Sequence, residues 1–460
     1  MNHDNSGWRS LLTRGDIVQI LVPLSAVAFL TGTCPTDTAL LLHLQRTQGF
    51  TEDAAVLSVS IKTYSAIIFA LPVIVFILAY GTRHAIISGT VSYLLFLVCS
   101  IQQAVPELAQ LGCVLAGYSA TTWIACCCCG RYLLHEEFFL FYYACIACYY
   151  LAGHFISFVL DALVLESIVG VPTPFYLAVV TSAVNLAISF FWIPTQRHVD
   201  IGQGAVDSDV VVGPRGRCLG TRQDWPRLGY ALVAAMKINP LRRIVVWYML
   251  EYAIYLGIQS RIADYMSSGG FGEFDSAVGC YLLASLAGFA ALATASTFPM
   301  RTVLSDANAV ILITLVGVSS TIAILVLTLG QDWPLAYVAA SITLVLLGSF
   351  QFTLAVGKIA AYVPAELTVV LYGVTWLVSM MIKVSLESLV PRDEQYNVYA
   401  AIWFLVNFGY ALRVICARDD AHVVPQVVVE SRTSDPKDDE EHSISQAPQN
   451  EISVASEVRE

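Results

Sequence analysis

The feature that constrains this chain most is a series of apolar runs, each long enough to cross about 30 Å of hydrocarbon. Twelve are read along the 460 residues: 17–33, 57–80, 85–103, 109–129, 138–160, 173–193, 243–263, 275–299, 308–329, 335–356, 367–390 and 397–416. Lipid offers no hydrogen bonds to a bare backbone, so segments of this length must be helices. Composition agrees. The chain is 57% hydrophobic and only 13% charged, where a soluble protein is about a quarter charged. The first run lacks a small-residue cleavage site and is expected to be a retained helix rather than a signal peptide.

The basic residues orient the spans. If the N-terminus is cytosolic, fourteen Lys and Arg before the tail fall in cytosolic segments: Arg9, Arg14, Arg83, Arg131, eight from Arg197 to Arg243, Arg301 and Lys358. Only Arg46 and Arg392 fall outside. This is a strong positive-inside bias, and it requires an even number of spans with both termini cytosolic. The expected architecture is an all-α polytopic membrane protein with twelve transmembrane helices in a six-plus-six arrangement. Residues 1–16 form a cytosolic N-terminus, 17–193 a first six-helix bundle, 194–242 a cytosolic connector, and 243–416 a second bundle. Residues 417–460 form an acidic tail, "SDPKDDEEHSISQAPQNE" within it, expected to be disordered. The connector, "IGQGAVDSDVVVGPRGRCLGTRQDWPR" in part, is rich in Gly, Arg and Asp and shows no helical period.

The most conspicuous local motif is "ACCCC" at 125–129. Neighbours on a helix are rotated by about 100°, so four consecutive cysteines point around most of the circle. They cannot converge on one tetrahedral metal. Apolar burial also raises a thiol pKa and quenches reactivity. The leading reading is packing by small apolar side chains, with palmitoylation beside Arg131 as the alternative.

Ionisable groups inside the spans are the better guide, because in a bilayer they tend to line an aqueous path or a site. They are Lys62, His154, Glu251, Arg261, Lys383 and Glu387, with Asp37, Asp161 and Asp264 at outer ends. Glu251 lies eight residues beyond Arg243, roughly 12 Å along its helix. It could bind a cationic group, carry a coupling proton, or pair with a basic residue from another helix. Lys383 and Glu387 are four apart and share a helix face. They are either a self-neutralising pair or a cation at a cavity wall. His154 on its own apolar helix reads first as a packing residue. Two sixes joined by a polar loop suggest a secondary transporter that rocks around a midplane site. No Walker motif points to ATP, since "GPRGR" lacks the Lys-Ser/Thr of a phosphate loop. No enzymatic activity, cofactor, metal or nucleic-acid partner is expected.

Several stretches resemble the reduced folate carrier family, which includes folate and thiamine transporters. The clearest is "ELTVVLYGVTWLVSMMIKVSLESLV" followed by "EQYNVYAAIWFLV", similar to the family's eleventh helix and the entry to its twelfth. "CPTDTALLLHL" with "FTED" resembles the family's RPxExFxTPYL segment. "WYMLEYAIYLGIQSRIADY", with central Gly257, resembles its seventh helix. "DSAVGCYLLASLAGFAALATA" resembles its eighth, and "LLGSFQF" the FRGSYQF of its tenth. These matches are colinear over about 16–416.

The resemblance implies a major-facilitator-type fold and uptake of a vitamin across the plasma membrane. By position, Asp37 replaces the family's first-helix Glu. Lys383 matches the folate carriers' eleventh-helix Lys, favouring an anionic, folate-like substrate. Gln351 and Tyr399 match polar positions facing the cavity. The chain also departs from the pattern. Cys34, Ala147, Leu347 and Gly279 stand where the family has charged groups, and Trp123 falls at its variable fourth-helix charge. Glu251 stands where the family has Trp. The expected site therefore has Lys383 against an anionic group, Asp37 and Glu251 for an amine or a proton, and Trp123 and Tyr399 stacking a heteroaromatic ring, with Gln351 lining the cavity. Coupling would use a proton or an exchanged organic anion. A thiamine transporter, or a receptor or scaffold that kept the fold without folate transport, is the alternative.

Overall fold

A computed structural model describes residues 14–35, 37–101, 106–134, 139–193, 224–267, 276–295, 318–319, 321–326, 334–363, 365–391 and 394–416. Among these the regular structure is helical, with no strand. The helices are α1 (Arg14–Gly32), α2 (Asp37–Arg46), α3 (Glu52–Tyr80), α4 (Thr82–Ile101), α5 (Pro106–Thr121), α6 (Trp123–Leu133), α7 (Phe139–Leu165) and α8 (Thr173–Phe191). Further along the chain come α9 (Asp224–Lys237), α10 (Asn239–Ser267), α11 (Ser276–Ala295), α12 (Pro334–Tyr362), α13 (Ala365–Leu389) and α14 (Gln395–Cys416). Six described stretches are long and apolar enough to cross a membrane: Asp53–Tyr80, Thr82–Ile101, Pro106–Leu133, Phe141–Leu165, Thr173–Phe191 and Leu367–Leu389. Gln19–Gly32, Val278–Gly288 and Tyr337–Gly348 are shorter apolar helices.

Several expectations are refined. The loop after the first span carries a helix, α2. The expected span at 109–129 is two helices, because the Thr122 amide bonds Ser119 O and the Ala125 amide bonds Thr122 O, three residues back in each case. Thr121 and Thr122 return their hydroxyls to the carbonyls of Tyr118 and Ser119 at 2.6 and 2.7 Å, a pattern that bends helices. The connector is not free of helix: α9 occupies 224–237, with Pro226 in its first turn, where a missing N–H costs nothing. Its Leu232 and Met236 pack on the core while Tyr230 and Val233 face outward. Tertiary packing of one face supplies what the composition of that stretch hides. Of the expected span 308–329 only 318–319 and 321–326 are described, and they are helical. Residues 1–13, the connector before 224 and the tail lie outside the described residues.

Apolar side chains gain little by leaving lipid for one another, so helices in a membrane associate through close backbone approach and polar contacts. The tightest approach is between α1 and α7. A Cβ on Gly153 would fall 2.8 Å from Gly32 Cα. Ser157 donates across the same crossing to Gly32 O at 3.1 Å. Between the two halves, α3 packs against α13, and α7 against α11 and α12.

The buried apolar residues fall into three clusters, and their placement gives the state of the molecule. At the end carrying the connector, one continuous core draws on both halves, from Leu24, Ile77 and Cys128 to Trp247, Ile359 and Leu371. Toward the other end the halves have separate cores, around Leu44, Leu97 and Phe175 in the first and around Ile258, Tyr337 and Trp403 in the second. The halves therefore share one core, the seal, at the connector end, whereas toward the opposite end they meet mainly along α7 and α11, where Tyr281 donates to Glu166 at 3.3 Å. Polar and aromatic contacts fasten the seal. Arg131 of α6 donates to Val363 O at 2.8 Å, and its guanidinium lies 4.3 Å from the Phe139 ring centre. Tyr143 of α7 stacks on Tyr372 of α13, ring centres 6.1 Å apart. Cys126 to Cys129 are all buried in this seal as free thiols. The Cys129 sulfur accepts from Thr82 Oγ1 at 3.5 Å. They act there as packing residues.

Because no side chain fits between Gly32 and Gly153, Gly153→Leu forces α1 and α7 apart. Overpacking of this kind costs about 1–3 kcal/mol. A thermal-unfolding scan of the purified protein should show a lowered midpoint for Gly153→Leu and a smaller drop for Gly153→Ala.

Candidate functional site

The parting between the halves brings together one group of the expected residues. Asp37 opens α2, where a carboxylate suits the positive end of the helix. Its Oδ1 accepts from Lys62 Nζ of α3 at 2.5 Å. The pair is not shut away: Asp37 is 55% exposed and Lys62 28%. Across the opening, Lys383 of α13 pairs with Glu387 at 3.5 Å, one turn on. Lys383 and His154 both lie within electrostatic range of Asp37. Each half thus presents one cation and one carboxylate to a shared vestibule.

Below these charges lies an aromatic floor. Trp123, the first residue after the break between α5 and α6, stacks on Tyr150 of α7 with ring centres 4.3 Å apart. Tyr150 meets His154 edge-on at 4.5 Å, and His154 continues to Phe158. From the other half, Tyr252 of α10 hydrogen-bonds Trp376 of α13. Trp123, Tyr150, Tyr252 and Trp376 all rest on the seal.

Glu251 is elsewhere. It lies within the second half, 6% exposed, on α10 between the seal and the outer core. It has no basic partner among the described residues. Its Oε1 accepts from Asn407 Nδ2 of α14 at 3.4 Å. Asn407 is a hub: its Oδ1 accepts from Trp247 Nε1 and from Gln351 Nε2, both at 3.3 Å, and its Nδ2 also reaches Trp403 O at 3.0 Å. Glu251, Gln351 and Trp403 line one small cavity closed by Trp247, Tyr248 and Tyr255.

The six expected site residues therefore separate. Asp37, Lys383 and Trp123 border the vestibule, Glu251 and Gln351 share the inner cavity, and Tyr399 belongs to neither list. Tyr399 is fully buried in the outer core of the second half, its hydroxyl against Gly257, where a Cβ would lie 2.8 Å away. The sequence pointed to Lys62 without assigning it a place in the site, and did not single out Tyr150, Trp376 or Asn407. Lys62 was visible as an ionisable group inside a span, and Asn407 carries no charge to betray it.

No protein-family model matches the chain, and no curated protein matches its sequence. Solved structures do match in fold. The major facilitator transporter FucP of E. coli, in an outward conformation, is 14% identical with a TM-score of 0.61, over 87% of this chain and 99% of that one. The proton:xylose symporter XylE, bound to a glucose analogue, is 11% identical with a TM-score of 0.62, over 86% and 95%. The human organic anion transporter MFSD10 is 12% identical with a TM-score of 0.61, over 85% and 99%. The chain has the fold of the major facilitator transporters.

Asn407→Leu would leave the Trp247 and Gln351 donors without an acceptor and Glu251 without a donor. Each buried polar group so stranded costs about 1–3 kcal/mol. The variant should unfold at clearly lower temperature than the parent, measured in the same detergent, whereas Tyr230→Ser on the outward face of α9 should not.

Proposed function

We propose that the chain is a secondary transporter that takes up a small organic solute by alternating access, with an anionic heteroaromatic vitamin of the folate type as its favoured substrate. The observation that supports this reading is that the Asp37–Lys62 pair of one half lies within electrostatic range of Lys383 of the other, with Trp123, Tyr150 and Trp376 packed nearby on the shared core. The two cations suit carboxylates, and the ring faces suit a flat heterocycle. Both lysines are already paired with carboxylates, so a carboxylate-bearing solute would exchange with Asp37 or Glu387 rather than meet a bare charge. A solute advances the cycle only by binding one access state better than the other. Each half carries its own ion pair, Asp37–Lys62 in the first and Lys383–Glu387 in the second, so a solute that draws on both would be sensitive to how the halves are set. The plasma membrane is the setting this uptake implies.

The test is a competition uptake panel in cells expressing the chain, with reduced folates, thiamine and its phosphates, and other water-soluble vitamins. Labelled reduced folate should accumulate, and Lys383→Ala and Lys62→Ala should each lower the uptake at least about tenfold, the equivalent of about 1.4 kcal/mol of binding. Thiamine uptake lost in Asp37→Asn would replace the folate-type reading with a cationic vitamin. Uptake of a folate indifferent to both lysines would remove them from the site.

A further inference from the structure

We propose that Glu251 is a proton-carrying site, separate from the solute vestibule, loaded in the state described here and discharged when the seal at the connector end parts. The inference rests on the alternating-access reading but not on the identity of the solute.

The surroundings of Glu251 are those of a neutral carboxyl. The groups around it are Tyr248, Tyr252 and Tyr255 of its own helix, Gln351 from α12, and Trp403 and Asn407 from α14. Helices α11 and α13 also pack on α10, yet among the described residues no Lys, Arg, His or second carboxylate acts on Glu251 electrostatically. It accepts a hydrogen bond from the neutral Asn407 amide. A carboxylate held dry without a cation is costly, and such a group binds a proton instead. The cavity independently calls for a hydrogen-bearing occupant. Gln351 is 1% exposed, and its Oε1 is an acceptor with no donor. Trp403 is fully buried, and its Nε1 is a donor with no acceptor. Both line the same cavity as Glu251. The space admits about one water. A protonated Glu251 with one water supplies the O–H that Gln351 lacks and the lone pair that Trp403 lacks.

Position ties the proton to the conformational cycle. Trp247 and Tyr248, which wall the cavity on one side, are members of the seal, while Tyr255 and Trp403 belong to the separate outer core. Parting the halves at the connector end takes away Cys127 and Tyr143, the first-half residues that back Tyr248, and lets water reach Glu251 past Tyr248. The hydrated carboxyl then ionises, releasing its proton to the connector side. Once the seal has closed, the ionised carboxyl, dry again and without a cation, takes up a proton from the opposite side. One proton enters and one leaves per cycle, with no other reactant.

The experiment is infrared difference spectroscopy of the full chain in lipid nanodiscs, without any solute, reading the C=O stretch of a protonated carboxyl. At neutral pH the parent should show this band. Glu251→Gln should remove it, and Glu251→Asp should keep it at a shifted frequency, which covers the case in which the Gln variant does not fold. Arg131→Ala combined with Tyr372→Ala weakens the seal. It should expose Cys127 and Cys128 to maleimide and abolish the band at the same pH. A band unchanged in Glu251→Gln and Glu251→Asp would overturn the assignment. A band that persists in the weakened-seal variant would overturn the link to the seal, whatever the cysteines do. Failure of the vitamin panel would leave these spectra unaffected, so the two readings can fail separately.

Discussion

A hydrocarbon surround supplies no hydrogen bonds, and this constraint shapes most of what is described above. It makes every span a helix and requires each buried polar side chain to find its partner inside the bundle. Asn407 shows the outcome. One neutral amide serves Trp247, Gln351, Glu251 and the Trp403 carbonyl. The same constraint separates two classes of charged residue. Asp37, Lys62, Lys383 and Glu387 keep contact with water and pair with opposite charges. Glu251 is cut off from bulk water and has no cation beside it among the described residues.

Backbone proximity does the work that the hydrophobic effect does in water-soluble bundles. The Gly32 and Gly153 crossing lets α1 and α7 touch along their main chains, and a core common to both halves lies at the connector end. Together they give a scaffold that is firm within each half and interruptible between halves. The aromatic floor lies at the boundary of these two regimes, so an occupant of the vestibule rests directly on the surface that has to part.

Much of this was legible in the sequence. Run length and charge gave the helices of the first half nearly to their ends, because apolar composition and span length report the same physical quantity. The paired spacing of Lys383 and Glu387 and the mid-helix depth of Glu251 were also readable, since helical geometry fixes both. Other features depend on which helices become neighbours, and spacing along one helix is silent on that. The Asp37–Lys62 pair joins two elements, the Trp123–Tyr150 stack joins two more, and Tyr399 turned inward to fill space beside Gly257 although its sequence position suggested a lining residue. Helix α9 was hidden for a related reason: its apolar face is satisfied by α10 and α13, far from the composition of its own flanks. The major facilitator architecture implied by the family resemblance agrees with the solved neighbours, whose identities of 11–14% speak to fold alone.

The break at Thr122 carries one more consequence. It divides a single membrane crossing into an outer rod, α5, wedged against α3 and α4, and an inner stub, α6, bearing the quartet of thiols and Arg131. Trp123 begins that stub and Arg131 lies near its end, so the indole nearest the break and the guanidinium that reaches the second half share one short rigid helix.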